Sequence, residues 1–280
     1  MTNTPAAKVD GSALTGVSET ALLTLLVRAN EARRPDGLVD DPMAIRLVDS
    51  IAFDWGKFGP SRRQDMGLRA KAFDTQTRRY LRDHPRATVV ALAEGLQTSF
   101  YRLDATDEVG HDFRWLTVDL PPIIELRRKL LPPSDRVGVC AQSALDFTWM
   151  DSVDDSDGVF ITAEGLLMYL QPEESMSLIK ACAQRFPGGR MMFDLPPSWF
   201  AWWARHGMRT SLRYKVPPMP FSLSPAEAAA LVDTVPGIRA VHDLPLPEGR
   251  GRIANALLWT VQRLPVFDPV RPVWTLLEFG

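Results

Sequence analysis

In the first third of the chain, apolar residues recur at helical spacing. In "SETALLTLLVRANEARRPD", Leu22, Leu25, Leu26 and Ala29 fall on one face of a helix that Pro35 stops. "DDPMAIRLVDSI" opens a second helix, with Asp41 as N-cap, Pro42 at the first helical position, and an apolar stripe of Ala44, Leu47, Val48 and Ile51. A third helix is expected across "GLRAKAFDTQTRRYLRD", and the small, polar residues 1–16 are expected to fray. Residues 1–86 therefore read as an N-terminal helical cap. From residue 87 the period changes. Short apolar runs, "ATVVALA", "FRWLTVD", "RVGVCA", "GVFITAE" and "RMMFDL", alternate with helical stretches such as "PPIIELRRKLL" and "PEESMSLIKACAQRF". Continuous apolar strands separated by helices predict an α/β core with a parallel sheet covered on both faces.

Residues 196–223 break this rhythm with prolines and aromatics, and are expected to form a lid inserted after the fifth strand. "SPAEAAALVDTV" resumes as a capped helix, while "IRAVHDL" and "NALLWTVQR" are expected to be late strands that complete a core over 87–280.

Composition narrows the function classes. The chain has 280 residues, 45% of them hydrophobic, enough for a substantial core. With 32 basic and 34 acidic residues the formal charge is −2, which gives no overall field for nucleic acid or an anionic membrane. Cys140 and Cys182 sit in apolar surroundings and read as reduced core thiols. No run approaches the ~18 apolar residues of a membrane span, and the first residues lack the apolar stretch of a signal peptide. A cytoplasmic protein is the expectation. The four histidines lack metal-ligand spacing, and "DSVDDSD" lacks the glycine and terminal glutamate of a calcium loop, so no metal site is expected.

The chemistry is expected at "VVALAEGLQTSFYRLD", a buried strand running into a turn. In an open α/β sheet, ligands bind outside the carboxyl ends of the strands near the point where strand order reverses. Asp119 ends the second strand, 24 residues after Gly95, close to the spacing of an acid that grips ribose hydroxyls. The turn fails as a dinucleotide fingerprint, because G-x-G-x-x-G becomes Ala93-Glu94-Gly95-Leu96-Gln97-Thr98 and Glu94 would repel a pyrophosphate. A cofactor with an adenosine but no phosphate fits better, and S-adenosylmethionine is one.

The same stretch resembles the first motif of the leucine carboxyl methyltransferase-like O-methyltransferases, a group that includes bacterial enzymes acting on polyketides and other secondary metabolites. The likeness continues in "RPDGLVDDPMAIRL", "RAKAFD", "LTVDLPPIIELRRKLL", "SALDFTWMD", "TAEGLLMYL" and "VPPMPFSL". It implies a Rossmann-like class I methyltransferase sheet and S-adenosylmethionine as cofactor. By that resemblance Arg69 clamps the methionine carboxylate, and Glu94 and Gly95 line the methionine and ribose. Asp119 takes the ribose hydroxyls, Ala144 and Leu145 edge the adenine, and Glu164 faces the methionine amino group or the acceptor. Ala93, Thr98 and Leu120 complete the expected cofactor set. The chain departs from the family at Ala93, where glycine is usual, and at Gln97 and Ser99, where an acid and an arginine are common. An alanine at 93 costs little if its φ is negative.

Methyl transfer from a sulfonium is an in-line displacement governed by positioning in a water-poor pocket. A hydroxyl acceptor benefits from a nearby base, and the candidates are Glu164, Tyr169, His206 and His242. Trp199, Trp202 and Tyr214 in the lid are expected to contact the acceptor: a polyketide or phenolic hydroxyl, a sugar hydroxyl or a carboxylate. A homodimer interface is the other use open to the tryptophan-rich segment. Two other functions stay open: a binding protein that has kept the pocket and lost catalysis, and a nicotinamide-dependent reductase. The reductase would want Tyr-x-x-x-Lys, and Tyr169 is followed four residues on by Glu173.

Overall fold

The computed structural model describes residues 8–59 and 64–280. Helices α1 (Thr20–Ala32), α2 (Pro42–Ser50) and α3 (Asp65–Asp83) precede the sheet, as the helical periodicity predicts. Asp41 caps α2 by accepting the Ala44 N–H at 2.9 Å. The expected frayed start lies outside the described residues over 1–7, while Val9–Asp10 pairs in parallel with Ile51–Ala52.

The five predicted strands follow: β1 (Thr88–Leu92), β2 (Arg114–Asp119), β3 (Val137–Ala141), β4 (Val159–Ala163) and β5 (Arg190–Leu195). Between them come α4 (Ser99–Asp104), α5 (Pro121–Leu130) and α6 (Pro172–Arg185). α7 (Ser198–Arg205) lies in the 196–223 insertion, and α8 (Pro225–Ala229) and α9 (Leu231–Thr234) come after it. α8 starts with the capping box that Ser224 and Glu227 form. β6 (Ile238–Asp243), α10 (Arg252–Arg263) and β7 (Val273–Phe279) end the chain. One expectation fails here. "NALLWTVQR" lies in α10, and the last strand is "VWTLLEF", Val273–Phe279.

The seven strands run in the order β3-β2-β1-β4-β5-β7-β6, with β1 to β5 parallel and β7 antiparallel to both its neighbours. Strand order reverses between β1 and β4, so their carboxyl ends open a crevice. The pleat sends alternate residues of β1 to opposite faces. Val90 and Leu92 join one core layer with Leu22 and Leu25 of α1 and Leu178 of α6, whereas Val89 and Ala91 join a second with Phe73 and Tyr80 of α3 and Phe100 of α4. Helices thus cover both faces. Among the described residues no helix is long and apolar enough to cross a membrane.

Candidate active site

The carboxyl ends of β1 to β5 open into one cavity of about 630 Å³. Its polar end is built from the strand-end turns. Asp119 closes β2, and its carboxylate accepts the Gly95 N–H and the Leu120 N–H, both at 2.7 Å. Burial pushes the Asp119 carboxyl up to about 6, against the lowering effect of these two amides. The turn after β1 holds Ala93 at φ +48° and Gly95 at +61°. The negative φ at which an alanine here would cost little is not adopted, so the Ala93 methyl carries a cost. A side chain at Gly95 would also meet Ala21 Cβ at 3.0 Å, because α1 lies against the turn.

Glu94 borders the cavity, while one oxygen of its carboxylate is held by β2 and α5. Oε2 accepts from Thr117 Oγ1 at 2.6 Å and Trp115 Nε1 at 3.2 Å, and it pairs with Arg127 at 3.0 Å. Arg127 in turn donates to the carbonyls of Gly95 and Gln97, both at 2.9 Å. The turn that lacks a glycine-rich sequence is therefore pinned by side chains from β2 and α5.

Arg69 of α3 reaches between two strand ends. Nε donates to Glu164 after β4 at 3.0 Å, and Nη1 approaches Asp194 of β5 at 3.4 Å. Burial alone would lower the guanidinium's pKa, but Asp194 and Glu164 outweigh it and hold Arg69 above its ordinary value. Asp194 is raised by burial, against the pull of Arg69 and the Gly165 N–H. Gly165 is required here, since its φ is +66° and an added Cβ would lie 2.9 Å from the Arg69 guanidinium. Gln97 donates to both oxygens of Glu164, at 2.7 and 2.8 Å. Its Oε1 accepts from Arg102 at 3.2 Å.

Arg102 anchors a buried network behind the cavity. It makes two bonds to Asp74, at 2.7 and 2.9 Å, one to Asp41 at 2.7 Å and one to Thr98 Oγ1 at 2.8 Å. Thr98, expected at the cofactor, is fully buried and donates to Asp41 instead. Ser99 accepts from Arg102 at 2.8 Å, so two of the three departures from the family pattern, Gln97 and Ser99, serve this network. Arg28 of α1 donates to the Leu96 carbonyl at 2.7 Å and lies 3.6 Å from Asp41. Burial brings its pKa down to about 10 despite Asp41.

Ala93, Gly95, Leu120, Ala144, Leu145, Glu164 and Tyr169 line the cavity with Arg69 and Asp119. The far end is apolar, walled by Met168, Phe200, Met208, Tyr214, Val216 and Met219. Burial raises the Tyr214 phenol above its ordinary range, and its hydroxyl has no partner among the described residues. The tryptophans of the 196–223 insertion do not share this wall. Trp199 and Trp202 are about half exposed on the outer face of α7, whose inner face carries Ala201 and Ala204. His206 also lies outside the cavity, with Nδ1 2.7 Å from the Trp202 carbonyl and its ring stacked on Trp202. His242 is exposed on β6 and lies 3.4 Å from Glu278. Sequence reasoning missed Asp194, although an acid closing the apolar run "RMMFDL" is the same signal as Asp119 closing "LTVD". Of the apolar wall it picked out Tyr214 and had no signal for the rest.

A family model for leucine carboxyl methyltransferase matches residues 21–183. The chain is 31% identical over 229 residues to the tetracenomycin polyketide synthesis O-methyltransferase TcmP of Streptomyces glaucescens, covering 81% of this chain and 82% of that one. It is 27% identical over 205 residues to the S-adenosyl-L-methionine-dependent methyltransferase dpfgK of Gibberella zeae, covering 66% and 68%. Among solved structures, a protein of Thermobifida fusca described as a candidate methyltransferase superposes with a TM-score of 0.54 at 15% identity, over 76% of this chain and 81% of that one. These findings remove the nicotinamide reading. The chain belongs to the leucine carboxyl methyltransferase family of S-adenosylmethionine-dependent methyltransferases.

Proposed function

We propose that the protein methylates an oxygen, a hydroxyl or a carboxylate, on a small and largely apolar acceptor of the polyketide or phenolic kind. The observation that carries this reading is the two-ended cavity, polar at the strand ends and apolar beneath residues 196–223. TcmP is named for O-methylation in polyketide synthesis, which supports the same acceptor class.

The polar end fits the cofactor. Asp119 is a buried carboxylate with lone pairs left for a ribose diol, and Leu120, Ala144 and Leu145 offer an apolar edge for adenine. Arg69 would hold the methionine carboxylate while Glu164 and Gln97 face its amino group. Bound there, S-adenosylmethionine supplies an electrophilic methyl group on a sulfonium. The chain's own residues position the acceptor and exclude water, which is most of what an in-line displacement needs.

The acceptor's proton is the remaining question. Among the described residues no histidine lines the cavity. Tyr214, held protonated by burial, is suited to donating a hydrogen bond and unsuited to accepting a proton. Glu164 already accepts from Arg69 and Gln97. Tyr169, another expected base, also borders the cavity. This arrangement favours an acceptor whose own oxygen is acidic, such as a carbonyl-conjugated phenol or a carboxylic acid. In the same reading, residues 1–86 act as a cap over the cofactor and 196–223 as a lid over the acceptor.

The test is methyl transfer from isotope-labelled cofactor to a panel of phenols, carboxylic acids, sugars, amines and thiols, with products identified by mass spectrometry. Oxygen-methylated aromatic products are expected. Transfer confined to nitrogen or sulfur acceptors would overturn the reading.

A further inference from the structure

α7 carries its aromatic stripe on the wrong side for a core helix. Trp199, Trp202 and Trp203 stand at the i, i+3, i+4 spacing that normally faces inward, yet they are 49%, 55% and 49% exposed. The inward positions belong to Ala201 and Ala204. The patch continues across the neighbouring turn, because Trp199 Nε1 donates to the Val270 carbonyl at 3.4 Å. Val270, Val266 and Trp259 on that side are also exposed, as is Leu212 on the insertion, at 93%. Of the eleven large apolar side chains left exposed among the described residues, nine lie between residues 199 and 270. A contiguous surface of this kind marks an interaction site.

Charge selects the occupant. From Leu195 to Ala226 the sequence contains no aspartate or glutamate, but it contains Arg205, Arg209, Arg213 and Lys215. Asp54 neutralises Arg213. Arg205 and Arg209 donate only to backbone carbonyls, and Lys215 has no acidic partner among the described residues. A chain that is slightly acidic as a whole thus presents a locally cationic, tryptophan-rich face. A second copy meeting this face about a two-fold axis would set these cations against themselves. Tryptophan beside arginine and lysine is instead the chemistry of an anionic lipid surface, where indoles sit at headgroup level and cations meet phosphates.

We infer that the outer face of α7, with Leu212, Lys215 and the 265–270 turn, docks the protein on anionic membranes. The same insertion walls the apolar end of the cavity with Phe200, Met208 and Val216, so docking would bring the acceptor mouth close to the bilayer.

The experiment is co-sedimentation of the full chain with vesicles of phosphatidylcholine alone or mixed with phosphatidylglycerol, without cofactor or acceptor. Binding is expected to be at least about tenfold tighter on the mixed vesicles and to weaken as salt rises. Trp202→Ser with Trp203→Ser, and separately Arg209→Glu with Lys215→Glu, should each cost about tenfold while affinity for S-adenosylhomocysteine stays unchanged. No binding to either vesicle, or binding that ignores lipid charge and both double variants, would overturn the inference. So would a dimer, seen by light scattering, that the tryptophan variant dissociates in the absence of vesicle binding.

Discussion

Replacing Ala93 with glycine should make this protein more stable. Ala93 is the one non-glycine residue with positive φ among the described residues, at +48°. In that region the Cβ of an L-residue crowds the following carbonyl, at a cost of ~1–2 kcal/mol. Glycine removes the crowding but adds freedom to the unfolded chain, which takes back ~0.4–1 kcal/mol. The difference is a net gain of about 0.5–1 kcal/mol, or a rise in Tm of about 1–4 °C for a domain of this size. The anchoring bond from Ala93 N–H to the Val118 carbonyl, 2.7 Å, uses only backbone and is unaffected. Ala93→Val supplies the control, since a β-branched residue at positive φ should lose stability. Both variants are compared with the parent by thermal and urea unfolding without cofactor, so that binding does not enter. A glycine variant less stable than the parent, together with a tolerated valine, would place residue 93 at negative φ and refute the reasoning.

Asp119→Asn should weaken S-adenosylhomocysteine binding by about 1–3 kcal/mol by calorimetry. In the parent protein, affinity should fall as pH drops through about 6 and the carboxylate protonates. Because the folded pKa lies above the ordinary 3.8, the stability Asp119 contributes is fully present below that value and is lost as pH rises through about 6; unfolding curves of Asp119→Asn should lack this slope. Arg69→Gln leaves Glu164 and Asp194 buried without their cation, so it should cost ~3 kcal/mol in unfolding free energy as well as cofactor affinity. Thr98→Val should destabilise by about 1–3 kcal/mol in urea, with cofactor affinity unchanged, because its hydroxyl serves Asp41 and Arg102 behind the cavity. Phe200→Ala should raise the KM for an aromatic acceptor by the equivalent of about 1–2 kcal/mol and leave cofactor affinity alone, as steady-state kinetics will show.

The parts of this molecule legible in the sequence are those where one period or one residue type decides. "TVVAL" and "VFITA" are buried throughout, as continuous apolar runs in a parallel sheet should be. Asp41 and Pro42 announced α2, and acids at strand ends announced Asp119 and Glu164. "NALLWTVQR" misled because a short apolar run has no period of its own; it is helix, and "VWTLLEF" takes the edge of β5. The tryptophans misled for a different reason. Bulk and aromaticity point to a pocket, but the small residues Ala201 and Ala204 let α7 lie close to the body and turn its indoles outward. Thr98 was misplaced because residues of one turn alternate in direction, and only the folded chain shows which of them face the cavity.

Charge balance connects the network to the cofactor. Behind and beside the cavity, Arg28, Arg69 and Arg102 face Asp41, Asp74, Glu164 and Asp194: three guanidiniums against four carboxylates, nearly all shielded from water. Arg127 and Glu94 neutralise each other, and Asp119 adds a further carboxylate on the rim. An excess of buried negative charge is costly, and burial already holds the carboxyls of Asp119 and Asp194 above their ordinary range. S-adenosylmethionine brings a sulfonium and an ammonium against a single carboxylate, a net positive charge that the cavity lacks. The network that fixes α1, α2 and α4 around the turn after β1 therefore leaves the pocket short of one positive charge, the charge that S-adenosylmethionine would bring.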